Sequence, residues 1–222
     1  MNIDEKYFNE SQMQANTVED VLDGGEYVLW RGKPDKKAHI AAAVFKALPI
    51  TIIWLIFDLG FIIGISISMS RGGIPLALLG FIIPFFLLHL APVWVWVANI
   101  LRSVTEIKNM EYVLTDKRVL VRSGVIGIDF KSIYYNEVES VNVKVGLTDR
   151  IFKVGDIYIN AKSSAAVLYD LHNPYILGGK IQKVVRDIAT DINYPNALRP
   201  DYNPGYNTQY SDSPFESQPF DN

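Results

Sequence analysis

The stretch Glu111–Gly124, EYVLTDKRVLVRSG, alternates apolar and polar side chains on both sides of Asp116-Lys117. A period of two is what a half-buried strand requires, because successive side chains project to opposite faces. The stretch is therefore two strands joined by a tight turn. Ser123-Gly124 is a second turn signal. Beyond it the runs VIGIDFKSIYY, VESVNVKVG, GDIYINA and AAVLYDLHN extend the same pattern to Asn173. The period then becomes helical. Leu177, Ile181, Val184 and Ile188 fall at i, i+4, i+7 and i+11, an apolar stripe that continues toward Ile192. Asn173-Pro174 is a start signal, since Asn can cap free amides and Pro has none to lose. Gly178-Gly179 weakens the first turns.

Working back from Glu111, the composition changes abruptly. Ala47–Ser70 and Ile74–Leu101 are nearly continuous hydrocarbon, each longer than the roughly 20 residues needed to cross a bilayer core. Two transmembrane helices joined by SRGG are expected. Arg31, Lys33, Lys36, Lys37 and Lys46 precede the first block, and Arg102 and Lys108 follow the second, whereas the connection holds only Arg71. The bias places both termini in the cytoplasm of a multi-pass protein of the cell membrane. The acidic start MNIDEKYFNESQMQ lacks the basic and apolar regions of a cleaved signal peptide. Thr17 is positioned to cap a short helix that Gly24-Gly25 would end. EYVLWRGKP reads as strand-like, with Trp30 either in the core or anchored at the membrane interface beside Lys33, Lys36 and Lys37.

The expected organisation is a cytoplasmic segment over 1–37, a transmembrane hairpin over 38–102 (about 47–70 and 74–101), a folded domain over 103–193 and a disordered tail over 194–222. The tail is dense in Pro, Asn, Ser and Tyr and has no period. Cysteine is absent, so there are no thiolate nucleophiles or disulfides, and a net charge of -3 does not favour nucleic acid as a partner.

About seven antiparallel strands followed by one amphipathic helix is an α+β arrangement with the layout of the pleckstrin-homology (PH) superfold. In it, two near-orthogonal sheets are closed at one end by the C-terminal helix. At this level of detail the chain resembles the bacterial PH-like domain family. The matching features are EYVLTDKRVLVRSG with Tyr112, Thr115, Arg118 and Gly124, the apolar positions Ile133, Val138 and Val141, the segment DRIFKVGDIYI with Arg150, Phe152 and Gly155, Pro174 before the helix, and GEYVLWRGKP ahead of two membrane helices. The resemblance implies an integral membrane protein with a cytoplasmic PH-like domain, oligomeric and with no established enzymatic activity. The motif residues have structural readings. Thr115 and Asp116 can bond turn amides, Gly124 and Gly155 permit turn dihedrals, and Arg118 and Arg150 can bond strand carbonyls or carboxylates such as Asp149.

Many eukaryotic PH domains grip inositol phosphates through a long basic loop between their first two strands. LTDKRV leaves only a tight turn there, and Ser103–Ile192 holds 12 basic and 11 acidic residues, so no specific phosphoinositide is expected. His39, His89 and His172 are far apart in sequence, and no metalloprotease, paired-cysteine or nucleophile-elbow motif is present. Neither catalysis nor a cofactor or metal is expected.

The remaining anomaly is Asp58, within IWLIFDLGFII. Counted from Gly72, Asp58 lies 14 residues back and His89 17 residues on, so in an antiparallel hairpin their depths differ by about 4.5 Å. Ionisable groups inside a membrane are costly and usually paired, and Pro84 and Pro92 can kink the second helix and free carbonyls near His89. Asp58 and His89 are thus a candidate intramembrane pair, read first as an assembly contact and alternatively as part of a proton or ion pathway. The leading expectation is a membrane-anchored module for protein-protein interaction or self-assembly. Oligomeric transport and anionic-lipid sensing are the alternatives.

Overall fold

The structure is a computed structural model that describes residues 15–72, 75–194, 198, 202, 203 and 205, and the side chains of Leu76, Leu79 and Ile192 lie outside the description. The chain divides into two compact units, one made of residues 1–39 with 106–222 and the other of 40–105.

Among the described residues the first unit holds seven strands in two antiparallel sheets. One sheet has the order β1-β2-β3-β4 and the other β5-β6-β7, where the strands are β1 Val28–Gly32, β2 Glu111–Thr115, β3 Arg118–Ser123, β4 Asp129–Tyr134, β5 Val138–Lys144, β6 Val154–Ala161 and β7 Ala165–His172. A short helix, Leu147–Phe152, joins β5 to β6, and a long one, Pro174–Asn193, follows β7.

The core lies between the sheets and under the long helix. Tyr112, Leu114, Val119 and Ile133 from the first sheet meet Ile157, Ile159 and Leu168 from the second, and Leu177, Ile181 and Val184 close the end. Ile188 also packs against this cluster, so the stripe read from the sequence faces inward. The Gln182 side-chain amide donates to the Val141 carbonyl at 2.7 Å, holding the helix to β5.

The alternation that located β2 does not describe its burial, because all five of its residues are buried. Tyr112 and Leu114 face the main core, while Val113 joins Val18 and Leu120 in a second cluster with Val21 and Leu22. The segment before β1 therefore covers the outer face of the first sheet. There the expected Thr17-capped helix is a three-residue 3-10 turn, Glu19–Val21, without a side-chain cap at its start. The Asp20 carboxylate instead accepts the amides of Asn16 and Thr17 at 3.0 and 2.8 Å. Asn173 likewise makes no side-chain cap at the long helix. It starts that helix through a left-handed backbone (φ 51°), its carbonyl accepting the amides of Ile176 and Leu177.

The main departure from the expected organisation concerns β1. Residues 28–32, placed by the sequence in a segment separate from the 103–193 domain, pair with β2 from Val28↔Thr115 to Gly32↔Tyr112. Residues 103–193 supply six strands and the seventh precedes the apolar blocks. Only long-range pairing determines this, and nothing in the local pattern of EYVLWRGKP names its neighbour. The 40–105 unit is consequently an insertion between the first two strands of one sheet.

In that second unit the long helix Lys36–Ser70, which starts in the first unit, runs without a break through Pro49. It starts eleven residues ahead of the apolar block and is long and apolar enough to cross a membrane. The second block is not the continuous helix expected over 74–101. It comprises a 3-10 turn, Leu76–Leu78, and two helices, Leu79–His89 and Ala91–Glu106, that meet at 47° and reach the length of a span only if taken together. Pro92 accounts for the break, since it has no amide to give the preceding turn and its ring crowds it. Much of this unit's apolar surface is exposed, including Ile53, Ile56, Phe57, Phe81 and Leu88. The tail expected to be disordered lies almost wholly outside the described residues.

Candidate functional site

Asp58 sits on a face of the long helix that also carries Thr51 and Trp54, at i-7 and i-4. Asp58 is 3% exposed and Thr51 1%. Asp58 Oδ1 lies 2.8 Å from His89 Nδ1. The approach is close but misaligned, because neither carboxylate oxygen nor His89 Nδ1 has a partner in hydrogen-bond geometry among the described residues. The distance is that of an ion pair, the angle is not that of a good bond, and the buried carboxylate remains under-satisfied.

The imidazole stands among aromatic rings. Trp54 and Phe85 stack on it at centroid distances of 5.2 and 5.3 Å, and Phe57 and Phe86 lie at 5.6 and 6.5 Å. The backbone around His89 is also unusual. At the helix break the amides of Val93 and Trp94 turn to the Leu90 carbonyl, and the His89 carbonyl accepts the Trp54 indole N–H at 2.7 Å. The Trp96 indole donates to the Val44 carbonyl at 3.0 Å. Two indoles thus join the arms of the insertion. Beyond the pair, an apolar groove of about 330 Å3 runs between Ile62, Ile65 and Met69 on one arm and Ile82, Phe86 and Leu90 on the other.

In the first unit, the motif residues form a buried network around Arg118. Its Nε donates to Glu26 Oε1 at 3.0 Å and its Nη2 to Glu26 Oε2 at 2.8 Å, a bidentate pair. Nη2 also reaches the Val21 carbonyl at 2.7 Å. Thr115 Oγ1 accepts the Arg118 and Lys117 amides and gives its proton to Glu26 Oε1 at 2.6 Å. Burial alone would raise the Glu26 carboxyl, but the Arg118 and Thr115 donors and the Asp23 backbone outweigh it and hold it at about 2. Asp116 behaves differently from Thr115. It accepts the Tyr27 amide at 3.0 Å and so fixes the start of β1 rather than its own turn. Arg118 bonds Glu26, not Asp149, whose carboxylate accepts the Gly146 amide at 2.6 Å instead. Glu26, the partner that completes this network, was legible only as a polar residue in a strand-like run.

The other motif positions are packing devices. Tyr112 is fully buried and its hydroxyl accepts the Tyr169 amide at 3.0 Å, linking the two sheets; burial pushes that phenol far above its ordinary range. Gly124 has φ 130°, as its turn requires. Gly155 does not adopt such a backbone. It is small because a Cβ there would lie 2.8 to 3.0 Å from Val145, Pro174 and the Lys144 carbonyl, which corrects the dihedral reading. Pro174 is the buried first residue of the last helix, Phe152 is half-buried and Arg150 is exposed.

A further cluster joins the start of the long helix to β7, and the sequence did not disclose it. His39 Nδ1 stands 2.8 Å from Asp170 Oδ2, Asp35 caps the Ala38 amide at 2.8 Å, and the Asp35 amide donates to the Asp170 carbonyl at 2.9 Å. His172 Nε2 lies 3.5 Å from Asp35 Oδ2. Asp170 holds a positive φ of 53° beside the register shift between β6 and β7, and its amide donates to Asp156 Oδ1 at 3.0 Å. An acidic residue amid the apolar run AAVLYDLH was the available signal. Lys33, Lys36 and Lys37 are exposed nearby, whereas Trp30 packs against the core with its ring over Gly32.

The tight turn Asp116-Lys117 joins β2 to β3. It is therefore not the connection between the first two strands, which is occupied by the inserted helices. No group of three or more His, Cys, Asp or Glu residues suited to a metal occurs among the described residues.

No curated protein matches the chain significantly. Among solved structures, a DUF1696 family protein with a pleckstrin-homology domain from Shewanella loihica PV-4 shares 18% identity, over 36% of this chain and 71% of that one, with a TM-score of 0.28. The bacterial PH domain model matches residues 40–189, well over half of the chain and inclusive of the inserted helices. The chain belongs to the bacterial PH domain family.

Proposed function

We propose that this is an integral protein of the cell membrane whose inserted hairpin carries a cytoplasmic PH-like domain, which binds partner proteins or further copies of itself and catalyses no reaction. The observation that carries the reading is the position of the insertion. The apolar helices leave and rejoin one sheet between β1 and β2, so the domain is tethered by two chain crossings rather than by one linker. The exposed apolar surface of the helices supports a lipid environment, and the flanking basic residues support cytoplasmic termini. Edge strands of the two sheets are the places where an extended peptide can add as a further strand. A chain that remains monomeric in mild detergent at every concentration tested contradicts self-assembly and leaves only a foreign partner.

A second reading, proton-coupled transport by an oligomer, is favoured by one observation: the buried, under-satisfied Asp58 facing an imidazole in an aromatic surround. Asp58→Asn separates the two. Loss of ion flux in reconstituted vesicles with assembly intact supports transport, and unchanged flux removes it.

A further inference from the structure

The helix Leu147–Phe152 contributes no buried residue to the domain. Its two large apolar side chains at i and i+4, Leu147 and Ile151, are 84% and 74% exposed. A surface helix ordinarily turns such a pair inward. The first turn of the last helix repeats the anomaly, with Tyr175 and Ile176 at 69% and 53%. These two sites are neighbours. A Cβ on Gly155, just after the short helix, would touch both Val145 before that helix and Pro174 next to Tyr175. Gly155 thus brings the two exposed apolar pairs to the same end of the domain.

The β5–β6 connection beside these pairs is net basic, with Lys144, Arg150 and Lys153 against Asp149, while Asp35, Asp156 and Asp170 also lie at this end of the domain. Lys144, Arg150 and Lys153 are exposed on the β5–β6 connection. The acidic residue among them, Asp149, is engaged by the Gly146 amide. Asp156, at the start of β6, is half-buried and accepts the Asp170 amide. The same end of the domain carries the start of the long apolar helix. β6 begins at Val154 opposite His172, and His172 and Asp170 contact Asp35 and His39 in that helix's first turn.

An apolar knob rimmed by basic side chains is the chemistry of a bilayer interface. Apolar and aromatic groups enter the boundary region while Lys and Arg meet anionic headgroups. We infer that Leu147, Ile151, Tyr175 and Ile176 form a surface that docks on an anionic bilayer, with Lys144, Arg150 and Lys153 as its headgroup contacts. The inference rests on the membrane-anchored reading and adds a second, peripheral lipid contact made by the folded domain.

The test uses the full chain, which has no native cysteine, reconstituted in phosphatidylcholine vesicles with and without phosphatidylglycerol. Single variants Ile151→Cys, Ser163→Cys and Phe61→Cys carry an environment-sensitive fluorophore. Ser163 lies in the β6–β7 turn, at the other end of β6, and Phe61 lies in the long helix. The expected result is quenching of the Ile151 probe by a lipid-borne quencher, stronger with phosphatidylglycerol, while the Ser163 probe stays accessible to aqueous iodide. Arg150→Gln with Lys153→Gln should weaken the docking about fivefold for each charge removed. A Phe61 probe in lipid with an Ile151 probe open to iodide overturns the docking surface alone. A Phe61 probe open to iodide overturns the membrane reading and the docking surface with it. An Ile151 probe shielded in native membranes but not in lipid-only vesicles overturns the lipid assignment in favour of a protein partner.

Discussion

The Arg118 guanidinium grips the Glu26 carboxylate through two bonds of 3.0 and 2.8 Å across 92 positions of sequence. Between them in the chain lie both apolar arms. The pair therefore fastens the segment before the insertion to the strands after it.

Removing one partner leaves the other charge buried and unpaired, which is costlier than losing the pair as a whole. Glu26→Gln and Arg118→Ala should each destabilise the domain by about 3 kcal/mol, measured by denaturation of the full chain in detergent. Acid should act on the same bond. Glu26 is held at about 2, below the 4.5 of a free carboxyl. Its stabilisation is thus present above about pH 4.5 and lost as the pH falls through about 2. Glu26→Gln should flatten that acid limb of the stability profile.

Asp156 carries the opposite sign. Burial raises its carboxyl and the charge of Asp170 adds to the effect, although the Asp170 amide opposes them. A carboxylate with a raised folded value costs stability at neutral pH, and the cost disappears once the pH drops below the unfolded value of 3.8. Asp156→Asn keeps an oxygen for the Asp170 amide. It should raise the melting temperature at pH 7 and lose that advantage below about pH 4.

The glycines separate packing from propensity. Gly155→Ala forces a Cβ against Val145, Pro174 and the Lys144 carbonyl and should cost about 1–3 kcal/mol. Gly179, inside the last helix, has open space around a built Cβ. Gly179→Ala should stabilise by about 0.5–1 kcal/mol, and thermal melts of the two variants should move in opposite directions.

The elements whose periodicity is local were readable from the sequence. The alternation around Asp116-Lys117 located β2 and β3, and the spacing of Leu177, Ile181, Val184 and Ile188 located both the last helix and its buried face. The depth count from Gly72 singled out His89 for Asp58, and the structure places the two 2.8 Å apart. What escaped was set by contacts distant in sequence. β1 becomes part of the sheet through β2, on the far side of the insertion, and Glu26 and Asp170 acquire their roles through Arg118 and His39. The kink at Pro92 was legible, and the break falls at Leu90; the donors that take the freed carbonyls were not, the Trp54 indole reaching His89 and the Trp94 indole Leu87. The i, i+4 pair Leu147 and Ile151 would by pattern face inward, and it is exposed instead.

The central claim is that the tethered domain serves as an interaction module in its own membrane. Crosslinking of the tagged full chain in that membrane, read by mass spectrometry, tests it most directly. The account predicts crosslinks from residues of the PH-like domain to a defined partner or to a second copy of the chain. A protein that is strictly monomeric in mild detergent and yields only intramolecular crosslinks in native membranes would contradict it.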